Sequence, residues 1–162
     1  MYRIKSGSHY SRLFPSFTFK HTIRYRCRFE NSCLYQLEGE DAFDINKLVG
    51  FSTSWNHHQQ SARIGWRCMD GQTIELLTYT YADGKRDVVD TILAVVKPEE
   101  EFDISITDFE SCYEYTVRVG ELESTARKWK VPDRWLFQWI LHPFFGGQTA
   151  APHEMKIHLT KI

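Results

Sequence analysis

At 162 residues the chain is long enough for one domain with a real core and short for two. A hydrophobic fraction of 42% beside 25% charged residues is an ordinary globular composition, and no apolar run reaches the length of a membrane-spanning helix. The formal net charge of −1 removes any bulk electrostatic case for nucleic acid or an anionic membrane as partner.

The amino-terminal stretch MYRIKSGSHYSR is polar and lacks the apolar core of a secretory signal, so a cytoplasmic location is expected, or a secreted one if a leader has been trimmed. Phe17 to Phe29 alternates with period two. Phe17, Phe19, His21, Ile23, Tyr25, Cys27 and Phe29 fall on one side, and the basic stripe Lys20, Arg24, Arg26 and Arg28 falls on the other. That pattern predicts one half-buried strand. GEDAFDINKLVG, Gly39 to Gly50, predicts a helix of one or two turns, with Phe43, Leu48 and Val49 as its apolar stripe and Gly50 as its stop. Ala62, Ile64, Trp66 and Cys68 then alternate with Arg63, Gly65 and Arg67 as a strand. Cys27, Cys33, Cys68 and Cys112 form no C-x-x-C pair, which argues against a zinc ribbon and for buried thiols.

CMDGQ and YADGK each place Asp-Gly between strand-like runs, a hairpin signal. With three-residue loops, Trp66 faces Ile74, Ile64 faces Leu76 and Ala62 faces Thr78, while Lys85 lies beside Tyr81 and Asp87 beside Tyr79. Further strands are expected over Val88–Val96, Phe102–Thr107, Cys112–Val119, Trp135–Leu141 and Met155–Leu159. GELESTARKWKVPDR stays open between helix, hairpin and loop. Many strands, close turn signals and one short helix describe an all-β antiparallel sandwich or barrel spanning 1–162.

The same register puts Ser61, Arg63, Gly65, Arg67, Glu75, Leu77, Tyr79 and Tyr81 on the face away from the core. Arginine binds carboxylates through a planar fork, and tyrosine offers a ring for sugar stacking and a hydroxyl for hydrogen bonding. Together they suit a polar or anionic glycan, although cross-strand pairing on a solvated sheet accounts for the same residue types. His57 and His58, adjacent on an extended chain, point apart and cannot share a metal, so no metal or other cofactor is implied. With Gln59, Gln60, Arg63, Tyr79 and Tyr81 they are also of the types that a polysaccharide lyase needs to neutralise a uronate, remove a proton and protonate a leaving oxygen. In LHPFFGGQTAAPHEMKIHL, Gly146-Gly147 reads as a tight connection into the last strand, or as a glycine-walled pocket edge with Gln148 and His153 toward a ligand.

FFGGQTAAPHEMKIHL, with NKLVGFS and HHQQSARIGWR, resembles a pattern in little-characterised bacterial β-sandwich proteins of jelly-roll type, similar in outline to concanavalin-like and polysaccharide-lyase folds. The resemblance covers Asn46 to about Tyr81 and the last twenty-odd residues. It implies an antiparallel jelly-roll β-sandwich. The lyases carry a terminal aromatic-Lys-x-Gly-x-Tyr strand, whereas this chain has His142-Pro143-Phe144-Phe145-Gly146-Gly147, so no catalytic residue is carried over. The expected function is non-catalytic binding of a carbohydrate or similar polar small molecule, with Arg63, Arg67, Glu75, Tyr79, Tyr81, His57, His58 and His153 as candidate contacts. A lyase-like enzyme acting on uronate-containing glycan is one alternative. A structural or assembly module, with the sheet face buried in a homo-oligomer, is the other.

Overall fold

Period-two alternation puts apolar side chains on one side of each ribbon, and two such ribbons bury them against each other. The computed structural model describes residues 1–11, 16–133 and 137–162. In chain order the strands are β1 (Tyr2–Ile4), β2 (Ser16–Thr18), β3 (Thr22–Phe29), β4 (Asn46–Ser52), β5 (Ser61–Arg67), β6 (Ile74–Ala82), β7 (Lys85–Arg86), β8 (Ile92–Val96), β9 (Glu101–Asp108), β10 (Cys112–Val119), β11 (Leu122–Trp129), β12 (Gln138–Leu141) and β13 (Met155–Lys161). All pairings are antiparallel. The first sheet runs β1-β13-β3-β9-β10-β11, and the second runs β2-β12-β4-β5-β6-β7 with β8 also on β6. The chain is an antiparallel β-sandwich of jelly-roll type.

Ile23, Cys27, Phe29, Ile104, Tyr115 and Val117 of the first sheet meet Val49, Phe51, Ile64, Trp66 and Leu76 of the second. Phe29 lies 5.1 Å from Trp66 between ring centroids, and Phe51 lies 5.7 Å from Tyr113. Where polar groups enter the core they are paired: Thr80 Oγ1 and the Tyr115 hydroxyl are 2.6 Å apart, and Asn46 Nδ2 donates to the Tyr35 hydroxyl at 2.7 Å. Each large apolar side chain buried here contributes about 1.5–3 kcal/mol.

Several expectations are corrected. The Phe17–Phe29 pattern is two strands in different sheets, and the chain crosses over at Phe19–His21. On β2 the phase is reversed, so Phe17 faces out and Thr18 in. The expected helix over Gly39–Gly50 is a 3-10 segment at Gly39–Phe43 followed by β4, which is buried on both faces. The only other helical segment among the described residues is the 3-10 turn Asn31–Cys33. Within Val88–Val96 only Ile92–Val96 is strand, and Val88 and Val89 are exposed. The open stretch after Val119 forms a hairpin arm, β11. It pairs with β10 through a two-residue turn with Gly120 at φ +58°. The expected strand Trp135–Leu141 begins at Gln138, and Trp135 lies outside the described residues.

Neither hairpin has the expected loop. Between β5 and β6 the connection runs from Cys68 to Thr73. The Asp70 carboxylate closes it by accepting from the backbone N–H of Gln72 and Thr73 and from the Thr73 hydroxyl, each within 2.8 Å. The ladder therefore slips by two residues, and Trp66 faces Leu76, Ile64 faces Thr78 and Ala62 faces Thr80. An even slip leaves every side chain on its expected side. Between β6 and β7, Asp83 (φ 52°) and Gly84 (φ 71°) are both left-handed, which gives a two-residue type I′ turn. Arg86 rather than Lys85 therefore lies beside Tyr81.

Candidate functional site: a cationic groove on the second sheet

Register builds the floor of the site. Leu141 of β12 pairs with Gly50 of β4, Gly50 with Arg63 of β5, and Arg63 with Tyr79 of β6, so these four cross the outer face in one row. A Cβ on Gly50 would lie 2.0 Å from the Ala62 carbonyl oxygen and 2.8 Å from Arg63 Cγ, so the glycine is what lets the Arg63 stem lie across β4. A bulge between Lys47 and Val49 makes Leu48 an extra residue on β4. Val49 thereby packs inward while Lys47 joins the outer face.

Two loops wall this floor. The Ser52–Gln60 connection is pinned by the Ser52 hydroxyl, which donates to the carbonyls of Ser54 (2.7 Å) and Gln60 (2.8 Å). It is a turn rather than extended chain, so His57 and His58 face each other at 4.2 Å instead of pointing apart, and His58 stacks on Tyr81 at 4.9 Å. Opposite, Phe144 exchanges backbone hydrogen bonds with Lys47 at 2.8 and 2.9 Å. Gly146, at φ +70°, then turns its N–H to Asn46 Oδ1 (2.5 Å) and its carbonyl to Lys47 Nζ (2.9 Å), and Gly147 N–H reaches Asp44 Oδ2 (3.0 Å). The groove between them holds about 550 Å³, within the range of small-ligand sites. Tyr10, His142 and Pro143 complete its rim.

Its electrostatics set it apart from the rest of the molecule. Arg63 is 6% exposed; its Nη2 donates to the His142 carbonyl at 2.7 Å, and its Nε has no hydrogen-bond partner among the described residues. Burial draws its pKa down to about 10. Lys47 is 9% exposed, and burial, then the Arg63 charge, draws its ammonium down to about 8 against the opposing pull of the Asp44 carboxylate. No carboxylate among the described residues forms an ion pair with either. Other half-buried or buried cations among the described residues are paired: Arg67 with Glu75 (2.7 Å), Arg86 with Asp90 (2.5 Å), Lys128 with Asp87 (3.2 Å), and Lys130 with both Asp108 and Asp133 (2.6 Å each). Tyr79 lies under two cations, with Arg86 Cζ at 3.8 Å and Lys47 Nζ at 4.8 Å from its ring centroid. Its hydroxyl is raised, mainly by burial. His57 is drawn down to about 4 by burial and by the charges of His58, Arg63 and Lys47, so its imidazole is neutral at pH 7.

Of the candidate residues, Arg63, Tyr79, Tyr81, His57 and His58 come together here. Arg67 and Glu75 satisfy each other and do not line the groove. His153 Nε2 hydrogen-bonds the Ser32 carbonyl at 2.9 Å, and neither His153 nor Gln148 lines the groove. Lys85 is exposed opposite Ala82, and Asp87 is taken by Lys128. The basic stripe of β3 does not extend the site, because β3 sits in the other sheet; there Arg26 pairs with Asp103 and Arg28 with Glu99. The sequence reading missed Lys47, hidden in the supposed helix. It also missed Arg86, hidden by the wrong turn length, which is paired with Asp90 and touches the site only through the Tyr79 ring. Among the described residues, no group of three His, Cys, Asp or Glu is placed to hold a metal.

No protein-family model matches the sequence, and no curated protein matches it. In three dimensions it is similar to the alginate lyase from Klebsiella pneumoniae, with a TM-score of 0.61 at 10% identity, covering 87% of this chain and 59% of that one. It is also similar to a functionally unknown protein from Saccharomyces cerevisiae, with a TM-score of 0.50 at 10% identity, covering 93% of this chain and 74% of that one. At such identities the likeness is one of fold, the jelly-roll β-sandwich, and the chain spans 59% of the lyase's length.

Proposed function

We propose that the groove binds a carbohydrate bearing a carboxylate, with the anion held by Arg63 and Lys47. The observation that carries this reading is two buried cations, without ion-pair partners among the described residues, that share one walled cavity. An unpaired buried charge is destabilising, and a ligand carboxylate supplies the missing partner. The guanidinium fork suits a planar carboxylate. The Phe144 ring and the Leu141 side chain offer apolar surface to a pyranose, and the histidines and tyrosine hydroxyls offer hydrogen bonds. Titration calorimetry with oligo-uronates and with neutral oligosaccharides of equal length tests it. Uronates bind and Arg63→Met weakens them at least tenfold, with neutral sugars binding far less. Equal affinity for both classes overturns the reading.

A second reading, elimination across a uronate, is favoured by one observation: His57 and Tyr79 line the same cavity as the two cations. In that step His57 takes the C5 proton, whose electron pair forms the C4–C5 double bond. The C4–O bond breaks, and the leaving oxygen takes a proton from the Tyr79 hydroxyl. Absorbance of the unsaturated product during incubation with polyuronate decides between the two. Its growth in wild type and loss in His57→Ala assigns catalysis, and a flat trace leaves binding alone.

A further inference from the structure

Beyond the cations, the outer face of the second sheet carries a group of aromatic rings that the groove does not use. Phe17 of β2 is directly opposite Trp139 of β12, with centroids 6.5 Å apart. Phe137 lies 5.3 Å from Trp139 and 6.0 Å from Phe17, and Phe19 lies 5.7 Å from Phe17. Trp55 tilts onto Trp139 at 4.4 Å. Phe17, Phe19 and Trp55 are 59%, 70% and 77% exposed, far more than large rings are in a closed core. Three exposed rings on one patch mark a surface that something covers.

Position identifies the occupant. Trp139 and Leu141 are two residues apart on β12 and share its outer face, so about 7 Å separates the patch from the groove floor. Trp55 belongs to the same short loop as His57 and His58, which wall the groove. Resting on the uronate reading of the groove, we infer that these rings are a stacking platform for further sugars of the same chain. The ligand is then an oligo- or polysaccharide that runs from the Arg63 centre across β12 onto Trp139, Trp55 and Phe17. The exposed rings of Trp55, Phe17 and Phe19, resting on Trp139, offer flat, rigid, apolar faces to the axial hydrogens of successive pyranoses. The cations fix where the chain sits, and the platform makes affinity depend on its length.

The test is a length series of oligo-uronates against wild type, Trp139→Ala, Trp55→Ala and Arg63→Met, by calorimetry and tryptophan fluorescence. Wild-type affinity rises with length, and only the longer members quench the emission of Trp55 and Trp139. Each platform variant keeps short-oligomer affinity within about twofold and loses about 3- to 10-fold on long ones, the size of one ring-stacking contact. Arg63→Met loses binding at every length. Trp55 is exposed, so Trp55→Ala melts like wild type and serves if Trp139→Ala does not fold. Length-independent affinity, or platform variants that keep the full length gain, overturns the platform and leaves the groove standing. Absence of binding at every length overturns the groove and the platform with it. Concentration-dependent self-association abolished by Trp55→Ala assigns the patch to a second copy of the chain, which also overturns it.

Discussion

Lys47 offers the sharpest test of the groove, because the charge proposed to hold a ligand carboxylate also weakens the fold. A fall in its pKa from 10.5 to about 8 means that the folded state disfavours the ammonium relative to the amine. At roughly 1.4 kcal/mol per decade that amounts to about 3 kcal/mol. Lys47→Met keeps the stem and removes the charge. It also forfeits the bond to the Gly146 carbonyl and the contacts with the Tyr79 and Phe144 rings, together about 1–2 kcal/mol. The net expectation is a gain of about 1–2 kcal/mol at neutral pH, or about 2–8 °C in Tm for a chain of this size. Uronate binding falls at least tenfold in the same variant.

The pH dependence gives the sign. Between about 8 and 10.5 the unfolded chain holds a proton on Lys47 that the folded chain has released, so wild-type stability rises with pH relative to the variant. The advantage of Lys47→Met is therefore full below about pH 8, shrinks through the window and reverses toward 10.5, where only the forfeited contacts count. Paired thermal or urea melts of the two proteins across that window measure the difference, and groups common to both cancel. A variant less stable than wild type at neutral pH, or a difference that stays flat through the window, refutes the claim that Lys47 is a buried charge without a carboxylate partner.

Two further substitutions probe what positions the groove. Gly50→Ala puts a Cβ 2.0 Å from the Ala62 carbonyl and 2.6 Å from Arg63 Cα, both backbone atoms that cannot give way. The β4–β5 ladder must open, and a loss of about 3 kcal/mol or more in urea unfolding is expected. Lys130→Met strands Asp108 and Asp133, which now share one buried ammonium, and costs about 3–5 kcal/mol at neutral pH. Burial already raises Asp108 despite that ammonium. Without it Asp108 titrates higher still and Asp133 loses a bond that holds it down, so the folded state gains protons on acidification and the variant's deficit narrows as pH falls. A deficit that widens toward acid contradicts this.

What the sequence made legible is sidedness. Arg63, Tyr79 and Tyr81 faced away from the core under the wrong register as under the right one, because the six-residue Asp70 connection shifts the ladder by an even number. Turn length was harder: type I′ and three-residue loops share the Asp-Gly signal, and only the backbone angles of Asp83 and Gly84 decide between them. That single residue hid Arg86. Lys47 was hidden for a different reason. NKLVGFS is covered on both faces, so it carries no alternation, and a short run without period two is indistinguishable from a helix turn. Phe17–Phe29 alternates well, yet alternation says nothing about which sheet a strand joins, and a corner at Phe19–His21 is invisible to it.

The two outer faces draw on the same polar-out pattern and end differently, and the cause is what covers them. On the first sheet the outward charges stay near water and neutralise each other across strands, as Arg26 does with Asp103 and Arg127 with Glu114. Such exposed pairs contribute at most about 1 kcal/mol and call for no ligand. On the second sheet loops close over the face. Ile45 packs within reach of Gly65 and Leu77, leaving Leu77 fully buried although it points away from the core. The Ser52–Gln60 turn and the Phe144–Gly147 segment enclose the strip between. Once covered, a cation loses its hydration, and a carboxylate partner is the usual remedy, as Lys130 has two of them. Arg63 and Lys47 receive a carbonyl each instead. A dipole offsets part of the desolvation, and Asp44 acts on Lys47 without forming an ion pair, so positive charge is still directed into the groove. Under the proposed reading a ligand carboxylate supplies the missing partner, and the Lys47→Met melts measure what its absence costs the fold.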